Sequence, residues 1–82
     1  MHVTVVSPER AVFDGVADAV VAPAYDGQVG VLPHHAAFLP VLGTGVLQVR
    51  QGSASSRFQV SGGFLQVVGD AVRIVADRVE VS

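Results

Sequence analysis

Apolar residues come in short runs along this chain, separated by glycine, proline and small polar residues. Three runs alternate clearly. In Val46-Leu47-Gln48-Val49-Arg50, Leu47 and Val49 fall on one side and Gln48 and Arg50 on the other. Phe58 and Val60 alternate with Arg57 and Gln59. Val72, Ile74 and Ala76 alternate with Arg73 and Asp77, while Val75 makes both sides apolar at one point. A period of two is the mark of a pleated strand with one buried face. No 3.6-residue stripe of helical length is present. The nearest case, 33–42, holds Pro33 and Pro40 and runs into Gly43. The pattern predicts strands at 3–6, 11–13, 17–22, 28–32, 37–42, 46–50, 57–60, 64–68, 71–76 and 79–81. Asp14-Gly15 and Asp26-Gly27 can supply the positive φ of tight turns, and Gly69-Asp70 reads as a two-residue hairpin turn. The polar stretch 51–56 reads as a longer, mobile hairpin tip. The fold class predicted is all-β, a sandwich or flattened barrel of about ten short strands, in one domain over 1–82.

Composition strengthens that reading. Valine occurs 19 times, and a β-branched side chain packs better on a sheet than in a helix. Half the residues are hydrophobic and only 15% are charged. A chain of this size buries only about 60–65% of the surface it exposes when unfolded. Some of the apolar surface is therefore expected to meet another protein. There is no cysteine, hence no disulfide and no thiolate metal site. There is no lysine either, and five scattered arginines in a chain of net charge −2 form no basic stripe. Nucleic-acid binding and lysine chemistry are disfavoured. No apolar run reaches the length of a membrane span, and the N-terminus lacks the pattern of a signal peptide. Membrane association is expected only through partners.

The candidate chemistry is thin. His34-His35 could suggest a metal, but neighbouring side chains of an extended segment point apart, and Asp26 is the nearest carboxylate. Ser7 with His2 or His35 and an acid could suggest a hydrolase triad, yet no glycine-flanked elbow surrounds Ser7 or Ser61. Ser61-Gly62-Gly63 lacks the spacing of a phosphate loop and has no helix behind it. It reads better as a bulge or as a close approach of another backbone. The segment 26–33, with Gly27, Gly30 and Pro33, is either a recognition loop or an ordinary connection. No catalytic residue, metal site or cofactor is expected.

Four stretches taken together resemble one family, the epsilon subunit of bacterial and chloroplast F-type ATP synthases, called delta in mitochondria. They are Val6-Ser7-Pro8-Glu9-Arg10 leading to Val12-Phe13-Asp14-Gly15, then Asp26-Gly27-Gln28-Val29-Gly30-Val31-Leu32-Pro33-His34-His35-Ala36 with Leu39 and Gly45 beyond it, then Ser61-Gly62-Gly63-Phe64-Leu65-Gln66-Val67, and finally Val72-Arg73-Ile74-Val75-Ala76-Asp77. Their order and spacing cover most of the chain and match the family's N-terminal domain.

The resemblance implies a two-sheet β-sandwich in the central stalk of the synthase. Such a domain binds the gamma subunit and the c-subunit ring, below the catalytic head. It couples proton flow to ATP synthesis without doing chemistry itself, at the cytoplasmic face of the bacterial plasma membrane. By position, Asp26, Gly27, Gln28 and Val29 are implied to face the c-ring. Ser7, His35 and Ser61 are implied to face gamma. The family often carries glutamate where Gln28 stands and glycine where His34 stands, and Phe38 and Pro40 also depart from its commoner pattern. Many members continue into a C-terminal helical hairpin that inhibits ATP hydrolysis. Ser82 closes this sequence directly after the last predicted strand, so the hairpin and its regulation are expected to be absent. The rival reading is a free-standing β-sandwich ligand-binding module. It is disfavoured because such modules present aromatic platforms, and this chain has no tryptophan and only Tyr25 as tyrosine.

Overall fold

A computed structural model describes residues 1–24, 27–31 and 41–81. Among them are seven strands and no helix: β1 (His2–Val6), β2 (Ala11–Val16), β3 (Ala19–Ala24), β4 (Gly27–Val31), β5 (Gly45–Gln51), β6 (Ala54–Val68) and β7 (Ala71–Val81). They form one hydrogen-bonded sheet in the order β2-β1-β7-β6-β5-β3-β4, open at both edges. All neighbours are antiparallel except β1 and β7, where Val3 lies beside Val72 and Val5 beside Ile74 in parallel register.

The sheet doubles over on its two longest strands. β6 has 15 residues and β7 has 11. They stay in register from Phe58 opposite Val81 to Val68 opposite Ala71. Yet the residues they bury change parity midway. β6 buries Phe58 and Val60 in its first half, then Leu65 and Val67. β7 buries Val72, Ile74 and Ala76, then turns Val79 onto the core. Both strands roll over at the same level, around Gly62 and Asp77. The first halves of β7 and the second half of β6 join β1 and β2 in one layer. The remaining halves join β5, β3 and β4 in the other. The faces that meet carry Val3, Val5, Leu65 and Ile74 from the first layer and Val20, Leu47, Val49 and Val60 from the second, each 0% exposed. Phe13 of β2 and Phe58 of β6 meet edge to face across the gap, ring centroids 6.1 Å apart.

Glycine makes the roll possible. Gly62 and Gly63 have φ of 71° and 103°. A Cβ on Gly63 would stand 1.9 Å from the Val75 carbonyl oxygen and 2.8 Å from Ala76 Cα. Ser61 faces Arg78 and Gly63 faces Ala76, two residues on against two residues back. The bulge expected here is therefore absent, and the alternative, a close approach of another backbone, is what the two glycines serve.

The structure departs from the expected strand and turn pattern at four places. The expected strands 57–60 and 64–68 are one strand, β6, and 71–76 and 79–81 are one strand, β7, because the glycine roll and its partner at Asp77-Arg78 bend the ladder without ending it. Of the expected strand 37–42, only Val41 and Leu42 fall within the described residues, as isolated bridges to Phe64 and Ala24. Asp14-Gly15 is no turn. Both residues lie inside β2, paired with Thr4 and Val3. The hairpin tip at 51–56 is tighter than expected, since Gln51 already pairs with Ala54 across Gly52 and Ser53. Gly69-Asp70 is the two-residue turn expected, with Val68 opposite Ala71.

Candidate functional site

The candidate partner-facing residues follow one rim of the sandwich. Gly27 is opposite Ala24, and Ala24 bridges to Leu42. The Leu42 amide donates to the Gly63 carbonyl at 3.0 Å, and Gly63 faces Ala76. One residue beyond the last β1–β7 pair, Val6 with Val75, the chain reaches Ser7 at the level of Ala76. Five strand spacings of about 4.8 Å thus separate Gly27 from Ser7 along the rim, roughly 24 Å. Ser61 sits two residues before Gly63 on the same rim. The predicted residues share an edge but do not converge on one point. Asp26 and His35 lie outside the described residues.

Their local chemistry differs. Gly27 and Gln28 are exposed and Val29 half-buried on β4, whose one recorded strand partner is β3. Ser7 begins a turn: its amide donates to the Arg10 carbonyl at 2.9 Å, and its hydroxyl lies 3.2 Å from that oxygen and 3.1 Å from a Glu9 carboxylate oxygen. The Ser7 hydroxyl thus serves its own loop. Ser61 keeps its hydroxyl 3.3 Å from that of Thr44. Both line a hollow of about 280 Å³ with Gln59, Val60, Arg78 and Glu80.

A hydrolase triad through His2 is not built. His2 and Ser7 stand at opposite ends of β1, about 16 Å apart at strand rise. The His2 imidazole instead contacts the Asp14 carboxylate across the β1–β2 pair, in the open. Ser61-Gly62-Gly63 is strand rather than phosphate loop. Among the described residues no three histidine or carboxylate side chains gather as a metal would need.

One feature escaped the sequence reading. Val6, Val75, Phe64 and Val41 are successive cross-strand partners. Cross-strand partners share a face, and here it is the outward one, since Val5, Ile74 and Leu65 beside them are fully buried. Phe64 is 40% exposed and Val41 60%. The result is an apolar row across β1, β7 and β6 and on to the bridged residue Val41, flanked by Ser7 at one end. The visible trace in the sequence was Val75, apolar where the alternation called for a polar residue, with Phe64 as its partner.

Comparison with known proteins bears on the whole chain. Residues 1–82 match the family described as ATP synthase, Delta/Epsilon chain, beta-sandwich domain. An ATP synthase epsilon chain of Leptospira borgpetersenii is 39% identical over 78 residues, covering 95% of this chain and 61% of that protein. The corresponding chain of Desulforamulus reducens is 42% identical over 76 residues, covering 93% and 58%. This chain therefore spans about three fifths of the length of these curated relatives. A chain in the Euglena gracilis mitochondrial ATP synthase structure, solved with OSCP, F1 and c-ring, superposes with a TM-score of 0.89 at 23% identity, over 96% of this chain and 51% of that one. A chain of the Tetrahymena thermophila central stalk and c-ring gives 0.82 at 24% identity, over 99% and 66%. At these identities the two structures speak for the fold.

Proposed function

Because the chain belongs to the β-sandwich domain family of ATP synthase delta and epsilon chains, we propose that it is a rotor-stalk domain that binds the gamma subunit and the c-ring. It couples proton flow to ATP synthesis as a mechanical element and performs no chemistry. The observation that carries this reading is the family match over residues 1–82. The geometry supports it. Gly27, Gln28 and Val29 present an edge suited to the polar loops of the c-ring, and Asp26 is assigned to the same contact by its place in the sequence alone. The apolar row starts at Val41, two strand spacings from Gly27, and runs through Phe64 and Val75 to Val6 beside Ser7, some 24 Å from Gly27 along the rim. With Ser7 and Ser61 it offers the surface for gamma, a contact to which His35 is assigned by its place in the sequence alone. Bacterial relatives support reading its working position as the cytoplasmic face of the plasma membrane, held there by its partners. Among the described residues no helix is long and apolar enough to cross a membrane.

The test is binding of the 82-residue chain to isolated gamma and to purified c-ring. Saturable binding to both is expected. Binding to neither at native salt would sink the reading.

A further inference from the structure

The outward face of the second layer concentrates positive charge on a chain that is acidic overall. Arg50 on β5, Arg57 on β6 and Arg78 on β7 all point away from the core, alternating with buried Val49, Phe58 and Val60 and half-buried Val79. Each faces a neutral polar partner across the sheet: Arg50 opposite Ser55, Arg57 opposite Gln48 and Arg78 opposite Ser61. Glu80, opposite Gln59, is a carboxylate on this face, and the Asp77 carboxylate lies at its margin, over Gly62. The rest of the chain holds two arginines against six carboxylates. Among the described residues none of the three guanidinium groups is ion-paired. Asp18, whose amide donates to the Arg50 carbonyl at 2.8 Å, accepts the Gly52 amide on its carboxylate at 2.6 Å.

We propose that this face docks an acidic segment of a protein partner, with one carboxylate seated in the hollow formed by Arg78, Ser61 and Thr44. A guanidinium beside a hydrogen-bonded hydroxyl pair, one of whose protons is free to point outward, offers convergent donors of the kind a carboxylate accepts. Arg57 lies four residues back along β6 from Ser61, about 13 Å at strand rise, and Arg50 sits diagonally beside it. Further carboxylates of the same segment meet them. Glu80 beside Arg78 in the hollow argues against a uniformly anionic surface such as a membrane, and for a partner of mixed charge. The proposal rests on the reading of Ser61 as part of the gamma-facing surface.

The experiment titrates isolated gamma with the 82-residue chain by calorimetry between about 50 and 300 mM salt, where screening of exposed charges changes most. Arg78→Gln is expected to weaken binding about tenfold or more, the worth of a hydrogen-bonded charge. Arg78→Lys should recover only part of the loss, because the planar fork is gone. The triple change Arg50→Gln, Arg57→Gln, Arg78→Gln should also flatten the salt dependence. Unchanged unfolding midpoints exclude a folding defect. If wild type binds gamma and the triple variant binds equally well with the same salt dependence, the proposal is overturned while the partner reading stands. If wild type itself fails to bind gamma at every salt, the partner reading falls and the proposal with it. Binding to phosphatidylglycerol vesicles that is lost in the triple variant, with gamma affinity unchanged, would assign the face to lipid and overturn the proposal.

Discussion

Replacing Gly63 with alanine tests whether the roll of β6 and β7 holds the sandwich together. The new methyl would sit 1.9 Å from the Val75 carbonyl oxygen. Ordinary contact begins near 3.4 Å, so the strands would have to part by about 1.5 Å. The obstacle is backbone, and no rotamer change relieves it. The φ of 103° adds strain for any residue with a Cβ, about 1–3 kcal/mol. Opening the ladder weakens the pairs on either side, Gly63 with Ala76 and Phe64 with Val75, at about 1 kcal/mol per hydrogen bond. The sum is about 3–5 kcal/mol, against a total stability of roughly 4–12 kcal/mol for a domain of this length. In a domain this small each kcal/mol lowers Tm by about 4–8 °C, so Gly63→Ala should lose well over 10 °C or fail to fold. Gly52→Ala is the matched control. Its φ is 61° and nothing lies within 4 Å of the added methyl, so it should cost only about 1–2 kcal/mol. Urea unfolding followed by circular dichroism compares the two. Equal midpoint shifts would refute the argument that Gly63 answers to a close approach rather than to its φ alone.

Three other substitutions probe the packing and the surface. Leu65→Ala, at a fully buried position of the first layer, should cost about 3 kcal/mol in denaturant unfolding. A double-mutant cycle of Phe13→Leu and Phe58→Leu should return a coupling of about 0.5–1.5 kcal/mol, because the two rings meet edge to face across the layers. Phe64→Gln should change stability by less than about 1 kcal/mol, since the ring is partly exposed. In a gamma-binding assay the same variant should lose affinity several-fold, and full retention would remove the apolar row from the contact.

Fold class was legible because alternation and valine content are local properties. Leu47, Val49, Phe58, Val60, Val72, Ile74 and Ala76 all turn inward as their spacing indicates. What single runs could not reveal was how they join. The apolar parity changes from even to odd numbers between Val60 and Leu65, and again between Ala76 and Val79. Read separately, each change looks like the end of one strand and the start of another. Only the pairing of Ser61 with Arg78 and Gly63 with Ala76 makes them a single event in two continuous strands. Asp14-Gly15 misled for a related reason. A dipeptide suited to a turn is also tolerated in an edge strand, where Gly15 instead admits the Gln51 side chain, whose amide would stand 3.3 Å from a Cβ there. The apolar row was hidden because its four members come from three strands and a bridged segment far apart in the chain, and only Val75 broke its local pattern.

The roll also explains how a domain this small could serve two partners at once. β4, with its proposed c-ring edge, belongs to one layer, and the apolar row belongs mainly to the other. A sandwich of two separate sheets would join such surfaces through loops and side-chain packing alone. Here β6 and β7 pass through both layers with their ladder in register, so force applied at one surface reaches the other along covalent backbone and interstrand hydrogen bonds. The bend itself is hard to flex, because Gly63 already lies against the Val75 carbonyl and closing it further would drive backbone into backbone. Stiffness at that point comes from close packing of main chain rather than from a large core, which a chain of 82 residues cannot build. A coupling element of the proposed kind needs that property, and in this fold it rests on the backbone freedom of Gly62 and Gly63.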